Sequence, residues 1–422
     1  MFVYWKGRGP QRSHHDVLIL SPIVSSLPEV ASERPEAELL FCCARTQWTP
    51  ELQARVQALV SQGLDWSAVQ ELAWRHRLRP LLLRSILEMD IEGIPSPVMA
   101  QLHREWQGMM MLSLLRTREL VRMLDILHER GIEALAFKGP VLGQEVYGDI
   151  GLRPFGDLDV LLHRADLPRV KEILEAEGYR PDPQMGEEAE HLYLDEQYAY
   201  SFFHESLGVE IELHWALAHR KFAFRVDTAA VWRRARGTTL GGTTVQTLDL
   251  DDLLVFLCVH GAKHEWNQLI WITDIAELLR RFPDLADRRV IERAKEAKAQ
   301  QMLRLGLLLA HRLFQAPLTA PLLHFCQADD AIHRLSDQVI RQVMRRVERE
   351  SRFIERLRFS VYAHDDWYGK GRNLLQNLRL AVSPSPKDRD FVTLPERWDF
   401  LYYFVRPFRV LRTRGNGEGA ED

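Results

Sequence analysis

The 422-residue chain has few cysteines, no long apolar run and no excess of charge of one sign. Its four cysteines lack the paired spacing of zinc ligands and are too few to cross-link a chain of this length. We therefore expect the protein to be located in the reducing cytoplasm. Apolar runs fall short of the roughly 18 to 20 residues that a membrane-spanning helix needs, so no membrane span is expected. A formal net charge of -4 excludes a global basic field, which makes nucleic acid an unexpected partner.

The composition is that of a folded protein, with 46% hydrophobic and 27% charged residues, and the length favours more than one domain. In residues 1–35 the apolar residues do not recur at any regular spacing, so we predict an irregular or disordered arm. Residues 413–422 are polar, and we predict a disordered tail there. A helical period dominates residues 36–130 and returns over 248–412. We therefore predict an N-terminal helical region and a helical C-terminal domain.

The period changes over residues 131–247, which we predict to form a small mixed α/β core. Residues 132–137 form a short apolar run between glycines, as expected of a buried strand, and 158–162 predict a second strand. Pro140 suits the first turn of a helix between them, because its fixed φ fits a helix and its missing N–H costs nothing there. Asp166 can cap a further helix after the second strand.

Two later runs, 191–203 and 208–215, predict the remaining strands because they are rich in aromatic and β-branched residues. Strands and helices thus alternate within the middle of the chain, while helices dominate on either side. The predicted fold class is α+β, a small mixed sheet flanked by helical regions.

Two aspartates at the start of the second predicted strand are the most informative feature. Side chains alternate faces along a strand, so Asp157 and Asp159 point the same way while Leu158 and Val160 enter the core. Two carboxylates on one face, just after a glycine, form a hard oxygen site suited to Mg²⁺. We therefore predict a metal site that would bridge protein and triphosphate.

A third carboxylate follows on the last predicted strand, where Glu210, Glu212 and His214 share one face. If that strand neighbours the first, Glu212 completes an acidic triad with Asp157 and Asp159, and such a triad holds two metal ions. Glu210 is the weaker candidate, because an acid facing solvent beside a glycine needs no metal. Either glutamate could instead assist deprotonation of an attacking hydroxyl, and the sequence does not separate these roles.

Three residues are candidates for phosphate contacts. Gly139 lacks a side chain at a predicted helix N-terminus, where backbone N–H groups and the helix dipole favour anions. Lys138 would add a point charge. Arg153 is either a phosphate contact or an ion-pair partner that orients Asp157, and the sequence leaves both open.

Several of these residues match the sequence pattern of a known protein family. The pattern Lys138-Gly139, Tyr147, Arg153, Asp157-Leu158-Asp159 and Glu212-Leu213-His214-Trp215 resembles a bacterial family of uncharacterised nucleotidyltransferases, within the DNA polymerase β nucleotidyltransferase superfamily. The resemblance implies a polymerase β-type core, with Asp157 and Asp159 as the metal-binding pair and Glu212 as the third carboxylate. The superfamily prefers Gly-Ser or Gly-Gly in the phosphate turn, whereas this chain has Gly139-Pro140, which removes one backbone donor.

The resemblance also implies an activity. An acceptor hydroxyl would attack the α-phosphorus of an NTP, with ATP expected, and pyrophosphate would leave with help from Mg²⁺ or from Mn²⁺ as a substitute. We expect a small-molecule acceptor. Two alternatives stay open: transfer to tRNA or to a protein side chain, and a catalytically silent relative that binds nucleotide or a partner. The near-neutral net charge makes tRNA the less favoured acceptor, because RNA binding depends on basic residues that neutralise phosphates.

The acceptor-side candidates are His214, His260, His264 and Asp274. His260 and His264 stand four residues apart on a predicted helix, so their side chains face the same way. They could bind zinc or a substrate anion together, or they could line an interdomain seam as satisfied core groups. We place that seam next to the predicted metal site.

Overall fold

A computed structural model describes residues 34–344 apart from 220–223, 225, 286 and 328, together with the single residues Gly371 and Val392. Nearly all of the predicted arm over 1–35, and all of the predicted tail over 413–422, lie outside the described residues. The same holds for most of the predicted helical domain beyond Met344.

Five helices precede the sheet: α1 (Pro35–Cys43), α2 (Pro50–Ser61), α3 (Trp66–Arg75), α4 (Arg79–Glu88) and α5 (Ser96–Glu129). Side-chain oxygens of Thr49 and Asp65 accept hydrogen bonds from backbone N–H groups at the starts of α2 and α3. The 34-residue α5 ends just before Gly131, whose φ of +70° is readily adopted by glycine. The helical region expected before the sheet is therefore present.

The sheet contains five strands in the order β1-β2-β5-β4-β3. They are β1 (Ala134–Phe137), β2 (Asp157–Leu162), β3 (Arg180–Asp182), β4 (Ala199–His204) and β5 (Val209–His214). Only β2 and β5 pair in parallel, and the other neighbours are antiparallel, which makes the sheet mixed. The predicted α+β fold class is therefore confirmed.

Three helices connect these strands: α6 (Gly139–Val146), α7 (Leu167–Ala176) and α8 (Glu187–Glu196). The strand predicted over 191–203 is partly wrong, because its first residues belong to α8 and β4 begins only at Ala199. Three glutamates in the first turn of α8 favour a helix N-terminus, and this electrostatic preference outweighs the aromatic content of the segment.

Beyond β5 come α9 (Thr228–Arg234) and a hairpin of β6 (Arg236–Leu240) and β7 (Thr243–Thr247), which the sequence did not predict. Gly241 and Gly242 form its turn with φ values of +58° and +86°, as a tight hairpin turn requires. Helices follow: α10 (Leu250–Lys263), α11 (Leu269–Arg281), α12 (Asp287–Glu296), α13 (Gln300–Phe314), α14 (Ala320–Gln327) and α15 (Asp330–Val343). In the part of the chain that is described, no helix is long and apolar enough to cross a membrane.

The two faces of the sheet pack into different apolar clusters. Leu158, Val160 and Leu213 pack with α5 and α7 on one face. On the opposite face Phe137 and Leu161 join a larger cluster, which contains residues of both the N-terminal helices and α10 to α15. The predicted acidic side chains share this second face, so the sheet presents them toward the helices. The domain boundaries given above stay a prediction.

A buried histidine links the N-terminal helices to the C-terminal ones. His76, at the end of α3, is 1% exposed; its Nε2 lies 3.1 Å from the Val343 carbonyl oxygen, and the Leu269 N–H donates to its Nδ1 at 3.4 Å. Because Nδ1 accepts, the ring is the neutral tautomer with its proton on Nε2. Burial, reinforced by the charge of Arg75, lowers the pKa of His76 to about 3.

We predict that His76 makes the fold less stable in acid. The unfolded chain takes up this proton near the ordinary pKa of 6.5, while the folded chain excludes it until about pH 3. Relative to His76→Gln, the wild-type free energy of unfolding should fall by about 1.4 kcal/mol for each pH unit below that ordinary value. Urea denaturation of both proteins at several pH values measures this. If the difference in free energy of unfolding between the wild type and His76→Gln does not change with pH, the low pKa assigned to His76 is wrong.

Candidate active site

The parallel pairing of β2 with β5 brings the acidic residues together. Asp159 lies directly opposite Glu212, and Asp157 lies opposite Glu210. His214 follows two residues after Glu212, so it lies on the same face of β5. The acidic triad requires that these two strands are neighbours in the sheet. The structure shows that they are.

Asp159 is the most buried of the sheet carboxylates, with 1% of its surface exposed. Lys138 Nζ donates to its Oδ1 at 2.7 Å, and His214 Nε2 lies 3.2 Å from the same oxygen. Burial alone would raise the pKa of Asp159, but the charge of Lys138 and the hydrogen bond from His214 hold it well below its usual range. Its other oxygen, Oδ2, is buried and has no partner among the described residues.

His214 is held between two carboxylates. Its Nε2 lies 2.9 Å from Glu212 Oε2 as well as near Asp159, and its ring packs edge-on against Phe137. Burial would lower the pKa of His214, but the hydrogen bonds to Asp159 and Glu212 raise it to about 9. The imidazole is therefore protonated at neutral pH. Glu212 is partly exposed, and its pKa is lowered by His214 against the opposing effect of burial.

Side-chain oxygen or nitrogen atoms of Asp159, Glu212 and His214 lie within 4.8 Å of one another, and the two carboxylates are the candidate ligands because a protonated imidazole has no free lone pair. This is the one such group in the described part of the chain, and it does not include Asp157 or Glu210. The unpartnered Oδ2 of Asp159 fits a cation site, because a buried carboxylate oxygen without a donor is costly unless something positive meets it. Oxygen ligands of this kind suit Mg²⁺ and Mn²⁺.

The turn between β1 and α6 holds the predicted phosphate contacts. Lys138 has φ 58° and ψ -146°, a conformation that is strained for any residue with a Cβ. Gly139 follows with φ +39°, and a Cβ there would lie 3.4 Å from the carbonyl oxygen of Asp157. The N-terminus of α6 therefore lies against the start of β2. The lysine is buried and paired with Asp159, an arrangement that the sequence did not reveal.

The sequence left Arg153 open as a phosphate contact or as an ion-pair partner of Asp157, and the structure pairs it with Asp274 instead. Its Nε and Nη2 donate to the two carboxylate oxygens of Asp274 at 2.8 and 2.9 Å, and Tyr147 Oη donates to Oδ1 at 2.6 Å. All three groups are buried. Asp274 was predicted on the acceptor side, and its carboxylate is enclosed in this network. The pair connects the segment before β2 to α11.

The two remaining acceptor-side candidates meet in an aromatic cluster. The rings of His260 and His264 have centroids 4.8 Å apart, and both contact Trp271, at 5.6 and 5.0 Å. Burial, followed by the charge of Lys138, lowers the pKa of His260 well below its ordinary value. Burial and Lys263 lower the pKa of His264 to about 4. Both imidazoles are neutral, and no third ligand joins them in a metal group within the described residues.

A cavity of about 410 Å³ lies elsewhere, between α4, α5 and the loop after α6. Its lining includes Arg84, Trp106 and Asp149, but none of the site residues Asp157, Asp159, Glu212, His260 and His264. The charged groups that converge at β2 and β5 therefore lie outside this cavity.

The class of the protein follows from a comparison with known protein families. A sequence model of the family described as "Uncharacterised nucleotidyltransferase" matches residues 62–315, more than half of the chain. The chain belongs to this nucleotidyltransferase family, as its resemblance implied. No curated protein matches it.

One similar solved structure is the solution structure of the antibiotic-resistance factor ANT(2'')-Ia. The two sequences are 12% identical, the TM-score is 0.30, and the match covers 43% of this chain and 92% of the other.

We predict that the Arg153–Asp274 pair is essential for stability. Asp274→Asn leaves the buried guanidinium without its counter-charge and should destabilise the fold by about 3 to 5 kcal/mol. The control is Glu292→Gln, which breaks the exposed Arg288–Glu292 pair and should cost less than about 1 kcal/mol. Urea denaturation compares the two variants. Equal losses would mean that the Arg153–Asp274 pair contributes no more than a surface pair.

Proposed function

We propose that this transferase moves an NMP group from an NTP, with ATP expected, to a hydroxyl of a small-molecule acceptor, and that it requires Mg²⁺. The observation that carries the proposal is Asp159, buried beside Glu212 with one carboxylate oxygen unpartnered. Family membership supports nucleotidyl transfer as the reaction type. The ion, the nucleotide and the acceptor are parts of the proposal.

We assign Asp159 and Glu212 as the principal metal ligands, with Asp157 completing the set from the partly exposed start of β2. Mn²⁺ would substitute for Mg²⁺, because both accept carboxylate oxygens. The bound ion would supply neutralisation of the charge that develops on the phosphates. Its proposed ligands come from two adjacent parallel strands, whose backbone hydrogen bonds fix the spacing of Asp159 and Glu212.

Lys138 and His214 prepare this site for an anionic substrate. Both donate to Asp159, so two cations balance the carboxylates of Asp159 and Glu212 before any ligand arrives. His214 already holds a proton at neutral pH, so we assign it to orienting the carboxylates rather than to accepting a proton. Lys138 stands at the N-terminus of α6, beside Gly139, where it can also attract a phosphate.

His260 and His264 are proposed to face the acceptor. Their neutral rings can form hydrogen bonds without adding charge. The His260 ring lies 5.9 Å from the ring of Phe256, and Lys138 Nζ lies 6.0 Å from that same phenyl ring, which supports a position for His260 beside the acidic residues. Arg153 and Asp274 would position β2 against α11 without contacting substrate. Transfer to tRNA or to a protein side chain remains the alternative acceptor class.

The test of the reaction is incubation with each α-labelled NTP, Mg²⁺ and a cell extract, followed by separation into small molecules, RNA and protein. We expect label in the small-molecule fraction, and we expect chelation of the metal to prevent it. Label in RNA or protein would keep the reaction type and change the acceptor class. Absence of transferred label with all four nucleotides, in every fraction, would overturn the proposed reaction.

We predict that two substitutions stop this transfer. Asp159→Asn and Glu212→Gln each remove a carboxylate charge and should reduce kcat/KM by at least about a hundredfold, the scale seen when preorganised electrostatic groups are lost. Glu133→Gln is the control, since its carboxylate is exposed at the edge of the sheet. Melting temperatures show whether the variants remain folded. Full activity of folded Glu212→Gln would remove Glu212 from the metal site.

A further inference from the structure

The face of the sheet that carries the acidic residues continues beyond β5 onto β4 and β3. Ser201 on β4 lies directly opposite Glu212, and Phe203 lies directly opposite Glu210. Arg180 on β3 lies opposite Phe203 in turn. Residues that lie directly opposite one another on paired strands point to the same face of the sheet. A row of side chains therefore leads from the proposed metal ligands to the outer strands.

Phe203 exposes its aromatic ring on this face. Its neighbours Tyr200 and Phe202 are buried in the apolar cluster on the opposite face, whereas 42% of Phe203 is exposed. The other large apolar side chains that are exposed in the described part of the chain lie outside the strands. An aromatic ring on a polar face offers a flat apolar surface that a ligand ring can cover.

Two charged residues flank this ring. Glu210 on β5 and Arg180 on β3 lie on either side of Phe203, and Arg180 is exposed while Glu210 is half-buried. Neither forms a hydrogen bond or an ion pair with any residue that the structure describes. The guanidinium N–H groups can donate, and the carboxylate oxygens can accept. The three side chains together suit a ring that carries polar substituents.

Helix α10 borders this open part of the sheet. Lys263 Nζ donates to Tyr198 Oη at 2.6 Å, and the Tyr198 ring lies 5.8 Å from the ring of His214. Tyr198 comes just before β4, so α10 meets the sheet there, while Phe203 lies further along the same strand. The exposed ring therefore lies on the stretch of sheet next to the helix that carries the proposed acceptor-side histidines.

The geometry of the reaction places the acceptor on the same side. Lys138 and Gly139, the proposed phosphate contacts, follow β1, which pairs with β2 on the side away from β5. The attacking hydroxyl and the leaving pyrophosphate lie roughly in line, on opposite sides of the α-phosphorus, so the hydroxyl is expected on the side of β5 and β4. Phe203 is the diagonal neighbour of Glu212, and such neighbours lie about 7 to 8 Å apart, a distance that one ring with its hydroxyl can span.

We propose that Phe203 binds the acceptor by stacking on a ring of that molecule, while Glu210 and Arg180 form hydrogen bonds with its polar substituents. This inference rests on the proposed function, because it assigns the chemical class of the acceptor: a small molecule whose reacting hydroxyl is attached to a ring or close to one. An aromatic ring and the apolar face of a sugar both fit the phenyl surface. Phe203 thus selects the acceptor without contacting the reacting atoms.

The test uses α-labelled ATP, Mg²⁺ and the nucleotide-free small-molecule fraction of a cell extract as the source of acceptor. Phe203→Leu should raise the amount of this fraction that gives half-maximal transfer by at least about tenfold, the effect of losing one stacking contact. The maximal rate and the affinity for Mg-ATP, measured by calorimetry, should not change. Phe203→Tyr keeps the ring and should behave as the wild type. Mass spectrometry of the labelled product should identify an acceptor with a ring.

The control is Trp74→Leu, which removes another exposed aromatic ring, on α3, and should change none of these values. Both leucine variants alter exposed side chains, so their melting temperatures should match that of the wild type. An equal loss of transfer in Trp74→Leu would mean that the position of Phe203 on the acidic face has no special role.

Unchanged transfer by Phe203→Leu, while the wild type transfers label, would overturn this inference alone. A loss of Mg-ATP affinity as large as the loss of transfer would also overturn it, because the ring would then hold the nucleotide base. An acceptor without a ring, or label confined to RNA or protein, would contradict the assigned class. Absence of transfer by the wild type would overturn both this inference and the proposed function.

Discussion

The Asp159 carboxylate is the point on which the site depends. It is buried on a sheet whose other face is apolar, and it stays charged because Lys138 and His214 both donate to it. Removing an ion from water costs several kcal/mol, so such a group persists only where cations compensate for it. The strained backbone of Lys138 and the parallel pairing of β2 with β5 both serve to bring these partners to Asp159.

A second buried ion pair holds the site to the rest of the protein. Arg153 precedes β2 and Asp274 lies on α11, so their contact fixes the start of the acidic strand against the helices. Tyr147, at the end of α6, donates to the same carboxylate. The turn, the strand and the helical wall are therefore positioned by one network. His76 adds a neutral link between α3 and α11 nearby.

Much of the fold could be predicted from the sequence, because periodicity and glycine or proline boundaries report local structure. The core strands before and after α6, the alternation of Asp157, Leu158 and Asp159, and the helices flanking the sheet all follow from such patterns. Segment 191–203 was harder, since aromatic content favours a strand while a glutamate-rich first turn favours a helix. The hairpin of β6 and β7 has a Gly-Gly signal at its turn that could have been used.

The partners within the site could not be predicted, because they lie far apart in the sequence. Nothing local indicates that Lys138 pairs with Asp159, that Arg153 pairs with Asp274, or that His214 lies between two carboxylates. These pairings depend on strand register and helix packing. The roles assigned to Asp157, Glu212, His260 and His264 remain proposals that rest on that packing.

The central claim is that a divalent cation binds at Asp159 and Glu212. The most direct measurement is an anomalous difference map from crystals soaked in Mn²⁺ with a non-hydrolysable ATP analogue. We predict a peak within about 2.4 Å of a carboxylate oxygen of both residues, the distance expected of a bound ion. A fully occupied analogue with no peak near Asp159, or with Mn²⁺ bound only at other carboxylates, would contradict the account.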